Sequence, residues 1–156
     1  MLENNLQATL PNVSKEYIVS FDFKIKSLKP ENAWKSIIYF TTGAGNDSPG
    51  FRHPASFIHK DNDSLYICSQ VGSSYNRCYT HHTAAPLNQW ISVEVAQEME
   101  EVEGKYMYRV KYNQEFVHKE ENKNPIEVSN VNVFTTKGIP VDGWVRDLVY
   151  AGKTDM

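Results

Sequence analysis

Residues 16–28 read EYIVSFDFKIKSL. Tyr17, Val19, Phe21, Phe23 and Ile25 fall on one side of an extended chain, and Ser20, Asp22, Lys24 and Lys26 on the other. Side chains of a strand point alternately to its two faces, so the pattern predicts a strand with one face in a core and one in water. The pattern recurs on either side. QWISVEVAQEM (89–99) sets Ile91, Val93, Val95 and Gln97 against Trp90, Ser92, Glu94 and Ala96. WKSIIYFTTG (34–43) reads as a strand ended by GAGNDSPG (43–50), which is dense in turn formers. ASFIHK (55–60) and SLYICSQV (64–71) flank Asp61-Asn62-Asp63 as a hairpin. In KYMYRVKYNQEFVHK (105–119) two strands, Tyr106–Tyr112 and Glu115–His118, are expected around a tight turn at Asn113-Gln114. VSNVNVFT (128–135) and GWVRDLVYAG (143–152) complete the set.

No segment carries a sustained 3.6-residue apolar period. The charge run EVAQEMEEVEGK (94–105) is read as a strand end followed by an acidic loop, Glu98–Gly104. About ten short strands, most apolar on one face, predict an all-β fold, an antiparallel β-sandwich. Residues 1–14 form a lead-in with an edge strand, and 15–153 form one sandwich domain.

A chain of 156 residues can bury a core without metal or extensive cross-linking. With 16 basic and 19 acidic residues, a net charge of −3 gives no general basis for binding nucleic acid. Its apolar stretches are only a few residues long, too short for membrane insertion by a helix. MLENNLQATLP at the N-terminus lacks the basic and apolar regions of a signal peptide, so if the protein is secreted this chain is a mature or excised form. Cys68 and Cys78 bracket Gly72, Ser73, Ser74 and Asn76, the composition of a hairpin loop. Paired strands would bring the two cysteines within disulfide reach; the alternative is two reduced thiols in a cytosolic protein. Asn12, Asn46 and Asn62 open Asn-x-Ser sequons, which agree with a secreted glycoprotein.

Four segments in order resemble the laminin G-like and pentraxin-like branch of the concanavalin A-like jelly rolls. GWVRDLVYAG is similar to that family's closing strand and PLNQWISVEV (86–95) to its central strand. GKYMYRVKYNQEFV (104–117) is similar to the hairpin that follows, and FRHPASFI (51–58) to a stretch in which Arg and Pro precede an apolar strand. The likeness covers about residues 15–152. The chain departs from the family in lacking glycine at the Asn113-Gln114 turn and in placing Trp144 where a late cysteine often stands. In the family's closing strand Gly143 would turn the chain and Trp144 would cap a core edge. Arg146 and Asp147 would lie on opposite faces, with Arg146 in solvent or buried beside a carboxylate.

Catalysis has little support in the residues. Jelly-roll glucanases use a Glu-x-Asp-x-x-Glu spacing, and Glu94, Glu98, Glu100, Glu101 and Glu103 do not reproduce it. No zinc spacing, nucleophile elbow or phosphate loop occurs among the motifs, so no catalytic residue is assigned. The resemblance implies a Ca²⁺ site built from rim loops, for which Asn46, Asp47, Asp61 and Asp63 are the oxygen-bearing candidates. GSSYNRCYTHHTAAP with GFRHP concentrates Arg52, His53, Tyr75, Asn76, Arg77, Tyr79, His81 and His82. Such groups stack on sugar faces, bond hydroxyls and anchor interfaces. The expectation is a non-enzymatic extracellular recognition module for a glycan or another extracellular protein. The alternative is a structural module that forms homo-oligomers through a sheet face.

Overall fold

The computed structural model describes residues 4–153, so the first three residues of the lead-in lie outside it. Eleven strands follow in order: β1 (Leu6–Val13), β2 (Glu16–Ser27), β3 (Lys35–Thr41), β4 (Ala55–Ile58), β5 (Ser64–Val71), β6 (Ser74–Ala84), β7 (Ile91–Glu100), β8 (Lys105–Tyr112), β9 (Glu115–Glu121), β10 (Val128–Phe134) and β11 (Asp142–Lys153). No helix occurs among the described residues. One sheet runs β1-β10-β3-β4-β5-β6 and the other β11-β2-β7-β8-β9, with every named strand pair antiparallel. β1 lies at the edge of the six-stranded sheet, paired with β10.

Alternation places the core. Tyr17, Val19, Phe21, Phe23 and Ile25 from β2 and Ile91, Val93 and Val95 from β7 meet Ile37, Phe40, Ile58, Leu65 and Ile67 from the six-stranded sheet. The outer face of the five-stranded sheet is a lattice of cross-strand ion pairs. Arg109 bonds Glu98 at 3.1 Å and also Glu100, Lys119 reaches Glu100 at 2.8 Å, and Lys111 reaches Glu94 at 3.2 Å. These pairs carry β7 on to Glu100, so the first three of the seven residues expected as an acidic loop are strand.

The last strand differs from its expected reading. A β-bulge between Arg146 and Val149, with Asp147 at φ 53°, breaks the alternation. Arg146 and Asp147 therefore lie together, 3.5 Å apart, rather than on opposite faces. Arg146 sits in solvent, 3.8 Å over the Trp90 ring, and pairs with Asp22 at 3.1 Å. Trp144 is 48% exposed under Lys24 and caps no core edge. Gly143 makes a close crossing instead of a turn: a Cβ there would collide with the Lys24 carbonyl oxygen. At Asn113 and Gln114 both residues are left-handed, φ 49° and 70°, so the hairpin keeps the type I′ twist without glycine.

Candidate ligand-binding face

β3 and β4 are buried along their whole length, unlike the one-sided β2. Their inward residues join the core, and their outward residues carry a second apolar cluster of Tyr39, Ala55 and Phe57, flanked by Tyr66 and Phe134. Strand register arranges this outer face in rows. Phe134, Tyr39, Ala55, Cys68 and Cys78 stand opposite one another across five strands. Phe57, Tyr66 and Thr80 form the next row. Beyond it Trp34 closes the platform, with ring centroids 4.7 Å from Tyr66, 4.4 Å from His59 and 6.3 Å from Phe57.

Arg52 reaches over this floor from the β3–β4 loop. The loop turns at Gly50, whose φ of 85° suits glycine. It is then pinned to β3, because the His53 N–H donates to the Phe40 carbonyl at 3.0 Å and the Phe40 N–H to the Pro54 carbonyl at 2.9 Å. Arg52 Nε donates to the Tyr39 hydroxyl at 3.1 Å, and Nη1 to Asn76 Oδ1 at 3.2 Å and toward Cys68 Sγ at 3.8 Å. Its guanidinium lies 4.7 Å from the Phe57 ring and 4.6 Å from the Phe51 ring. Trp34, Arg52, Phe57 and Tyr66 enclose a hollow of about 310 Å³. On the far side, Lys137 Nζ stands 5.4 Å over Tyr39 and 5.3 Å over Phe134. The Cys68–Cys78 disulfide is formed between β5 and β6 and ties down the floor beside Asn76.

Only part of the expected site lies here. Arg52 and Asn76 are on this face. His53 is not: its ring is 1% exposed, packs 5.1 Å from Tyr17, and has Nδ1 3.4 Å from Ser69 Oγ. Burial lowers its pKa from 6.5 to about 4, so it is a neutral interior group and not a ligand contact. Arg77, Tyr79 and His81 occupy the inner face of β6, where they close the sandwich against the other sheet. Arg77 pairs with Glu120 at 3.4 Å, Tyr79 stacks on His118 at 5.1 Å, and His81 stacks on Tyr112 at 4.0 Å. Burial and the neighbouring His82 lower the His81 pKa. His82 is exposed and Tyr75 half-buried, and neither lines the hollow.

The expected metal residues do not converge. Asn46 and Asp47 lie in the loop before β4 and Asp61 and Asp63 in the turn after it, at opposite ends of the strand. Among the described residues no group of three or more His, Cys, Asp or Glu is placed to hold a metal ion. Of the sequon asparagines, Asn46 and Asn62 are exposed in loops, whereas Asn12 is half-buried in β1 and donates its side-chain N–H to Glu127 at 2.9 Å.

Residue spacing did not point to Trp34, Tyr39, Phe57, Tyr66 or Lys137 as a group. The available signal was WKSIIYF and ASFI, too apolar for strands with one wet face.

No family model matches the chain, and no curated protein matches it. Solved structures do. A native heptameric SAP-like pentraxin from Limulus polyphemus is 17% identical with a TM-score of 0.61, over 93% of this chain and 67% of that one. Sheep galectin-11 in complex with glycerol is 14% identical with a TM-score of 0.57, over 97% and 99%. The alginate lyase Aly36B in complex with an alginate tetrasaccharide is 14% identical with a TM-score of 0.58, over 97% and 78%. The chain thus has the concanavalin A-like jelly-roll fold, one shared by lectins and polysaccharide lyases.

Proposed function

We propose that this chain is a non-catalytic glycan-recognition module of an extracellular protein, holding its sugar on the outer face of the six-stranded sheet. The hollow of Trp34, Phe57, Tyr66 and Arg52 carries the reading. Aromatic faces there, with Trp34 37% exposed, can stack on the C–H face of a pyranose, and Arg52 and Asn76 offer polar contacts at the rim. Fold neighbours that include a carbohydrate-binding module and a lyase bound to alginate support it, and the disulfide supports an oxidising compartment.

The test is a glycan array probed with wild type and with Trp34→Ala and Tyr66→Ala, in calcium and in chelator. Wild type should select a coherent set of sugars, both variants should lose it, and chelation should leave it intact. Silence of the wild type, or signal from both variants undiminished from the wild type, refutes the site; cleavage of a bound polysaccharide refutes the non-catalytic assignment.

A second reading is self-assembly through the five-stranded sheet. Trp90 and Trp144 stand exposed there on either side of Lys24, and the pentraxin neighbour is heptameric. Sedimentation velocity distinguishes it: a concentration-dependent oligomer that Trp144→Ser dissolves would favour assembly, and a monomer would exclude it.

A further inference from the structure

Among the chain's four arginines, three are neutralised within the described residues. Arg77 pairs with Glu120, Arg109 with Glu98 and Glu100, and Arg146 with Asp22 and Asp147. Arg52 differs. Its bonds among the described residues go to a phenol, an amide and a sulfur, all neutral. They leave from Nε and Nη1, so the Nη2 edge of the fork stays available to an incoming group. Lys137 repeats the arrangement across Tyr39, with its ammonium over two rings. Among the described residues no carboxylate lines the hollow. Arg52 and Lys137 thus place two positive charges over an apolar floor, on a protein whose net charge is −3.

Holding a guanidinium over rings retains only a modest part of what a carboxylate partner supplies. The planar fork suits a planar carboxylate or a sulfate, and the floor beneath suits a sugar ring. We infer that the ligand of this face is an acidic saccharide, bearing carboxylate or sulfate, whose anion pairs with Arg52 while its ring lies against Phe57, Tyr66 and Trp34. The inference rests on the glycan-binding reading and adds the charge of the sugar. Lys137 takes a second anion or strengthens the field, which also speeds capture of a polyanionic chain at low salt.

The experiment is calorimetric titration with two matched pairs of oligosaccharide. One is a β-1,4-linked mannuronate tetrasaccharide against neutral β-1,4-mannotetraose; the other is a sulfated galactose oligomer against its desulfated form. At least one acidic member should bind roughly 10- to 100-fold more tightly than its neutral partner, as a charge-assisted bond at a half-buried site provides. Arg52→Gln should erase that ratio. Arg52→Lys, which keeps the charge and guards against a folding defect in the first variant, should keep a reduced preference that falls as salt rises. Equal binding of both members, abolished by Tyr66→Ala, overturns the acidic specificity and leaves the glycan reading standing. Binding of neutral array glycans while both acidic probes fail does the same. Failure of every glycan, acidic or neutral, removes both readings together.

Discussion

Acid should weaken this sandwich through His53, by an amount that follows from its burial. In the folded chain the ring is 1% exposed and packs against Tyr17, and its pKa is lowered from 6.5 to about 4. The unfolded chain accepts the proton at ordinary pH, and the folded chain refuses it. Above pH 6.5 both states are neutral and His53 contributes no pH dependence. Below 6.5 the unfolded state gains a proton that the native state lacks, so stability falls by about 1.4 kcal/mol per pH unit. From about pH 7.5 to about pH 5 the loss is about 2 kcal/mol, and it levels off near 3 kcal/mol once the native ring also titrates, at about 4.

Urea unfolding followed by tryptophan fluorescence reads this directly. With a slope of about 2 kcal/mol per molar, the midpoint should drop by about 1 M across that interval. His81, whose pKa is also lowered, acts in the same range. The control is therefore His53→Phe, which fills the ring's place beside Tyr17 and cannot titrate. Its absolute stability is immaterial; the difference between the two pH slopes isolates His53. Parallel slopes for wild type and variant would sink the argument, as would an NMR titration placing the His53 ring near 6.5.

Trp34→Ala removes a ring that is 37% exposed, so it should cost about 1 kcal/mol or less by thermal melting while lowering glycan affinity at least about tenfold. Gly143→Ala drives a Cβ into the Lys24 carbonyl; separating β11 from β2 there should cost about 2 kcal/mol or more, read as a lower urea midpoint. Cys68→Ser with Cys78→Ser opens a loop closed across ten residues, with a chain-entropy loss of about 3 kcal/mol. Glycan binding should fall with it, since Asn76 steadies Arg52 from two residues before Cys78. Gln114→Gly relieves a side chain held at φ 70° and should stabilise the chain by about 1 kcal/mol.

How much of this was legible in the sequence depended on where water lay. β2 and β7 could be read because each has one wet face, so polarity records the direction of every side chain. β3 and β4 have none: Tyr39, Ala55 and Phe57 point outward yet stay buried under Arg52, Trp34 and Lys137. Without alternation the second face left no mark except an excess of apolar residues. The partial misreading of β6 has a different cause, composition weighed ahead of parity. In SLYICSQV, Leu65, Ile67 and Val71 are core residues, which puts Cys68 on the outside. Cys78 faces Cys68 across the hairpin, so it too points outward. Arg77, Tyr79 and His81 must then point inward, and Asn76 outward. That deduction was open from the cysteine pair alone, and it separates the residues that close the sandwich from the one that supports Arg52. No spacing rule could have placed Arg52 itself. Its partners lie 13, 16 and 24 residues away on three different strands, and only the register of the finished sheet brings Tyr39, Cys68 and Asn76 beneath one guanidinium.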